Sequence, residues 1–136
     1  MLCDLKQSHA ELLEFISELE AVLSADVIQV ALLARVRLQL SKASSRRKRI
    51  VSDAIQRLWE GASAEEMRRL DQLRGNDVAI AALTSRRVRE WSTETIAANR
   101  EGYRAASSAM RKSMRERIAT ERAILYPLLE RVAQHP

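Results

Sequence analysis

Arg117-Ile118-Ala119-Thr120-Glu121-Arg122-Ala123-Ile124-Leu125-Tyr126-Pro127-Leu128-Leu129 closes the last long helical pattern of the chain. Upstream the pattern extends through Tyr103, Ala106, Met110 and Met114, and downstream to Val132. Together with Arg117, Glu121, Ile124 and Leu128 these residues recur every three or four positions, so a helix places them on one face. Arg117 and Glu121 are the two charges on that otherwise apolar face. A buried charge is costly unless it is paired and hydrogen-bonded, so both require partners from other elements. The fold reading turns on what those partners are.

The rest of the chain supplies three more helical patterns. The first is expected over about Asp4 to Leu23, with Leu5, His9, Leu12, Ile16, Leu19 and Leu23 inward and Glu11, Glu14, Glu18 and Glu20 outward. Asp26 is placed to cap a second helix running from Val27 to about Glu60, roughly 50 Å at the helical rise. Its inward row is Leu33, Val36, Leu40, Ala43, Arg47, Ile50, Ala54 and Leu58, again interrupted by one charge. Gly61 ends that helix, and Ser63-Ala64-Glu65-Glu66 reads as a capping box. A third helix is expected from Ala64 to about Glu90, with Met67, Leu70, Leu73, Asp77, Ile80, Leu83 and Val88 inward and a weak point at Gly75-Asn76-Asp77. Trp91 through Ile96 reads as a link or single turn capped by Ser92 or Thr93. The fourth helix runs from about Asn99 to Val132, with Pro127 able to kink or end it.

Composition agrees. The 136 residues contain three Gly and two Pro, are 46% hydrophobic and 30% charged, and bound one domain, 1–136, of all-α class. Short connections between four helices imply an antiparallel up-down-up-down four-helix bundle. Folding the chain at turns near residues 25, 61 and 95 brings His9, Ala43, Arg47, Asp77, Arg117 and Glu121 to one depth. The polar interruptions of four separate stripes therefore converge in one layer.

The chain resembles the hemerythrin-like, or HHE cation-binding, family over nearly its whole length. Ser8-His9-Ala10-Glu11-Leu12-Leu13 is similar to that family's first helix, where a ligand His precedes a Leu pair. Arg117 through Leu128 is similar to its last helix, where His-x-x-x-Glu is followed by Leu-Tyr/Phe-Pro, and Trp91 through Tyr103 is similar to the link before it. The resemblance implies a four-helix bundle holding a non-haem di-iron centre that carries or senses dioxygen, nitric oxide, peroxide or iron. It makes His9 and Glu121 the residual metal-ligand positions. The chain departs from the pattern elsewhere. Arg117 stands where the family has its last-helix His, Ala43 and Arg47 stand for the second-helix His-x-x-x-Glu, and Asp77 is the one candidate oxygen ligand of the third helix. The remaining His is His135, near the end of the chain. A di-iron site needs imidazoles and carboxylates from all four helices, and a guanidinium cannot be deprotonated to serve. The expectation is therefore a buried polar layer of His9, Arg47, Asp77, Arg117 and Glu121, with the Arg pair in the metal's place and no cofactor. Non-haem iron held through His9 and Glu121 is the alternative.

The function classes narrow accordingly. No phosphate loop, nucleophile elbow or paired-acid signature is present, so no catalytic residue is assigned and the chain reads as non-enzymatic. The net charge of +5 is uneven: residues 1–26 carry −5 and residues 27–60 carry +6, a complementarity that serves adjacent helices. Basic runs such as Arg46-Arg47-Lys48-Arg49 rotate around a helix and match no nucleic-acid module, which argues against a nucleic-acid partner, although a basic nucleic-acid-associated protein stands as a further alternative. No apolar run reaches the roughly 20 residues of a membrane span. The start lacks the pattern of a secretory signal, and the single Cys3 fits a cytoplasmic location. The reading is thus an interaction or regulatory module with an unknown protein partner. Apolar Val27, Ile28, Val30 and Leu32, beyond the reach of the first helix, point to a homodimer.

Overall fold

The computed structural model describes residues 1–134, apart from the side chains of Ala81 and Thr84; His135 lies outside the described residues. Over that range the chain is all-helical: α1 (Leu2–Ser24), α2 (Val30–Trp59), α3 (Ala64–Glu90), α4 (Thr93–Ala98) and α5 (Arg100–Gln134). Four helices are long, and α4 is a single short piece between α3 and α5. None of the helices is long and apolar enough to cross a membrane, among the described residues.

In α1 the whole inward row from Leu5 through Leu23 is buried, His9 included. Two of its outward acids find cations on neighbouring helices. Glu11 pairs with Arg46 of α2, and Glu20 pairs with Arg111 and Arg115 of α5. The hydrogen bond from Arg115 is the main cause that holds the Glu20 carboxyl below the usual carboxylate range. Arg104 of α5 closes the end of α1, its Nε donating to the Leu23 carbonyl at 2.9 Å and its Nη2 to the Ala25 carbonyl at 3.0 Å. The last carbonyls of a helix have no intrahelical donor, so this arginine does the work of a cap.

The second helix starts later than its sequence pattern indicates. It begins at Val30 after Gln29, with no side-chain cap, and Asp26 does not cap it. The reason lies at Ile28, which is non-helical and 5% exposed. Dropping Ile28 into the core takes a bent approach that a continuous helix from Val27 cannot give. Val27 and Val30 remain exposed, but Leu32 is half-buried against the core, so the apolar surface expected there is reduced to the two valines. Lower in α2 the buried position is Val51, and Ile50 is only half-buried. Steps of three and four approximate a period of 3.6, and the error accumulates as a rotation of the face.

The start of α3 is fixed by the capping box. The Glu66 amide donates to Ser63 Oγ at 3.2 Å, and the Ser63 amide donates to Glu66 Oε1 at 2.9 Å. The helix passes through Gly75 without a break. Its second half departs from expectation: Leu83 and Val88 are exposed. Ser92 caps α4 through the Thr95 amide at 3.2 Å. Asn99 ends α4 and caps α5, accepting the Gly102 amide on its Oδ1 at 3.0 Å. Pro127 lies inside α5, which continues to Gln134. In the last turns of α5 the deeply buried residues are Leu125 and Leu129, while Ile124, Leu128 and Val132 are half-buried.

The apolar core is in two parts. One contains Leu12, Ile16, Leu19, Val36, Leu40, Ala43, Tyr103 and Ile118. The other contains Leu5, Val51, Ala54, Ile55, Leu70, Leu73, Leu125 and Leu129. On α1 the boundary falls between Leu5 and Leu12, on α2 between Ala43 and Val51, and on α5 between Ile118 and Leu125. His9, Arg47 and Glu121 sit in those three gaps.

Candidate functional site

Glu121 is the centre of the boundary between the two cores. It is 0% exposed, and its neighbours His9, Arg47 and Arg117 are 2%, 5% and 9% exposed. Four helices contribute. His9 comes from α1, Arg47 from α2, Asp77 from α3, and Arg117 and Glu121 from successive turns of α5. A helical spacing of four places Arg117 directly over Glu121.

Both carboxylate oxygens of Glu121 are engaged. Oε1 accepts from His9 Nε2 at 2.8 Å. Oε2 accepts from Arg117 Nε at 3.1 Å and from Arg47 Nη1. Asp77 Oδ1 closes the other side, with Arg117 Nη2 against it and Arg47 Nη2 at 3.5 Å. Arg117 Nη2 also donates to the Leu73 carbonyl at 3.3 Å. The two guanidiniums thus share two carboxylates, and charge cancels within the layer. Planar guanidinium forks suit this, because one fork can donate to acceptors on two helices.

His9 extends the network outward. Its Nδ1 lies 2.7 Å from the Tyr126 hydroxyl, and the two rings stack with centroids 5.7 Å apart. A carboxylate only accepts, so the imidazole carries a proton on Nε2; with Nδ1 unprotonated, the Tyr126 O–H donates to it and every hydrogen-bonding group is satisfied. Burial is the first cause that pushes the Tyr126 phenol above its usual range, and the nearby Glu121 charge adds to it against Arg122. Lys6 and Arg122 sit over the Tyr126 ring at 5.5 Å and 5.8 Å.

The five residues expected in one layer are therefore in contact through hydrogen bonds and ion pairs. Ala43, at the same depth, is core. Two further participants in the layer, Tyr126 and the Leu73 carbonyl, are not placed there by the helical pattern. Tyr126 stands five residues beyond Glu121, off the stripe drawn through Ile124 and Leu128. Leu73 precedes Asp77 by one turn, so its carbonyl faces the same way as the Asp77 side chain.

The donor set does not fit a di-iron centre. His9 and Glu121, the two positions that the hemerythrin-like resemblance would make ligands, are aimed at each other rather than at a common point. The remaining Glu121 oxygen faces two permanent cations, which oppose a metal ion at the same place. Among the described residues no group of three His, Cys, Asp or Glu side chains is placed to hold a metal. Cys3 is free and exposed, away from this layer. Compared with known proteins, the chain matches no family model, no curated protein and no solved structure.

Proposed function

We propose that this chain is an up-down-up-down four-helix bundle of hemerythrin-like type, with an ion-pair layer where that family holds two irons. In this reading it acts as a non-enzymatic interaction or regulatory module. The observation that carries the proposal is the double capture of Glu121 Oε2 by Arg47 and Arg117. Two guanidiniums supply the positive charge that a metal would otherwise bring to the carboxylate. The exchange removes redox and oxygen chemistry from the layer and leaves a fixed geometric element. A buried ionic layer restricts which helix registers are acceptable, because any slip strands a charge in an apolar core. The surface of such a rigid bundle is then what a protein partner reads.

The test is iron loading. Protein purified without chelator is exposed to ferrous iron under anaerobic conditions, desalted, and examined by elemental analysis and visible absorption. The proposal expects no stoichiometric metal and no charge-transfer band in a folded protein. Close to two irons per chain with a visible band would overturn it and make this an iron protein.

A further inference from the structure

A second feature lies beside the ion-pair layer. The second half of α3 stands off from α2 and α5 and leaves a groove of about 340 Å³. That is at the lower end of the roughly 300–1,000 Å³ typical of small-molecule sites. Its wall is mostly apolar, with Leu40, Ile80, Met110, Met114, Trp91 and Ile118 prominent. The exposure of Leu83 on α3 is exposure toward this same groove. Methionines suit a site that must fit a flexible apolar chain, since they repack at small cost.

The charged groups on the wall are mostly cations, and serines from α2, α3 and α5 line it as well. Ser107 belongs to it, is 2% exposed, and its hydroxyl has no hydrogen-bond partner among the described residues. A buried hydroxyl without a partner is costly, so this oxygen is placed for something the chain itself does not supply. One turn earlier on α5 is Tyr103, with the Arg37 guanidinium 5.7 Å above its ring. Arg37 donates to the Trp91 carbonyl at 2.8 Å, and no carboxylate among the described residues pairs with it. Lys48 and Arg87 also line the groove, and neither has an ion-pair partner among the described residues. The acid on the wall is Asp77, already held by Arg47 and Arg117. The groove thus has a largely apolar wall with cations in excess, and its one buried, unpartnered hydroxyl among the described residues, Ser107, is a turn from Tyr103, over whose ring Arg37 sits.

We infer that this groove binds a medium-chain alkyl carboxylate, its headgroup between Arg37 and the Ser107 hydroxyl and its tail along Met110 and Met114 toward Ile118. A second copy of the chain is the poorer occupant, because it would bring further positive charge to a wall where cations are in excess. Arg47, Asp77 and Arg117 of the Glu121 network also line the groove, but the headgroup site at Arg37 and Ser107 uses none of them and stands whether or not that network excludes metal. Iron loading reads the layer, and carboxylate binding reads the groove.

The probe is decanoate, titrated by calorimetry and by emission of Trp91 in a Trp59→Phe background, with decyltrimethylammonium as the cationic control. The expected result is saturable binding of one decanoate per chain that shifts Trp91 emission, with no comparable binding of the cation. Arg37→Gln weakens decanoate about tenfold or more, as loss of a hydrogen bond to a charged group does. Ser107→Ala weakens it several-fold while leaving the free protein as stable or more stable, so this arm survives if Arg37→Gln folds poorly. Arg57→Gln, an exposed cation away from the groove, changes nothing. Absence of saturable binding, equal binding of the cation, unchanged affinity in both groove variants, or a dimer whose formation hides Trp91 from decanoate would each overturn the inference.

Discussion

Replacing Glu121 by Ala removes the one acceptor shared by three buried donors: Arg47 Nη1, Arg117 Nε and His9 Nε2. Asp77 remains, but it sits at the solvent side of the layer and can neutralise one guanidinium, not two. Stranding a buried charge by deleting its partner costs about 3–5 kcal/mol. A domain of this size has roughly 5–15 kcal/mol of total stability, so the variant forfeits a large share of it. The melting midpoint should fall by roughly 10–20 °C. Glu121→Gln keeps the shape and should cost less. Its amide oxygen can face the two arginines while its NH2 donates to His9 Nε2, provided the imidazole shifts its proton to Nδ1 and donates to Tyr126. What it cannot restore is the negative charge. The decisive comparison is the combined variant Arg47→Met, Arg117→Met, Glu121→Leu, which removes the network as a unit. Apolar groups of similar volume often replace a buried ionic cluster at little cost or with a gain. The triple variant should therefore be more stable than Glu121→Ala. Urea unfolding followed by circular dichroism measures all three. A Glu121→Ala change within about 1 kcal/mol of the parent would refute the reasoning, since surface substitutions are usually within about 0.5 kcal/mol. A triple variant weaker than Glu121→Ala would show that the network adds stability outright.

Further expectations concern the helices and the tyrosines. Gly75 is inside α3 with nothing within 4 Å of an added Cβ, so Gly75→Ala should stabilise by about 0.5–1 kcal/mol. Gly102→Ala should not repeat that gain, because its Cβ would run into the Asn99 side chain that caps α5; paired melting curves distinguish the two. Ser63→Ala should cost about 1 kcal/mol by opening the capping box of α3, read in the same unfolding assay. Burial raises the phenol pKa of both Tyr103 and Tyr126 above the ordinary value of 10.0. The folded state then keeps protons that the unfolded chain releases, so this contribution to stability is complete below pH 10.0 and is lost as pH rises through the higher folded values. Tyrosinate absorbance in an alkaline titration should accompany loss of the helical signal; complete ionisation near pH 10.0 in a still-helical protein would contradict this.

Much of the layer was legible because helical rise is fixed. Once turns were placed near residues 25, 61 and 95, counting residues was enough to set His9, Arg47, Asp77 and Arg117 at one depth. The charge logic then followed, since four apolar faces each interrupted by a polar group leave few arrangements without a stranded ion. Finer detail was lost where rotation matters more than depth. Steps of three and four drift around the axis, so the pattern favours Ile50 over Val51 and Ile124 over Leu125. Rotation also hides the contact of Tyr126 with His9, since the motif marks the residue but not its direction. The start of α2 misled because Asp26 has the chemistry of a cap, whereas the burial of Ile28 decides the path there. Leu83 and Val88 continue the apolar period of α3, but periodicity shows only which side of a helix is apolar. It does not show whether another helix lies against that side, and here a groove does.

The central claim is that two guanidiniums are locked onto Glu121 inside the protein. Nitrogen-15 NMR of the arginine side chains tests it most directly, with Arg117→Lys to assign the Arg117 Nε–H signal. In the parent that proton should exchange slowly with water and carry the downfield shift of a charge-assisted hydrogen bond, and Glu121→Gln should move it toward the exposed arginines. An Arg117 Nε–H that exchanges as fast as the surface arginines, and is indifferent to Glu121→Gln, would contradict the account.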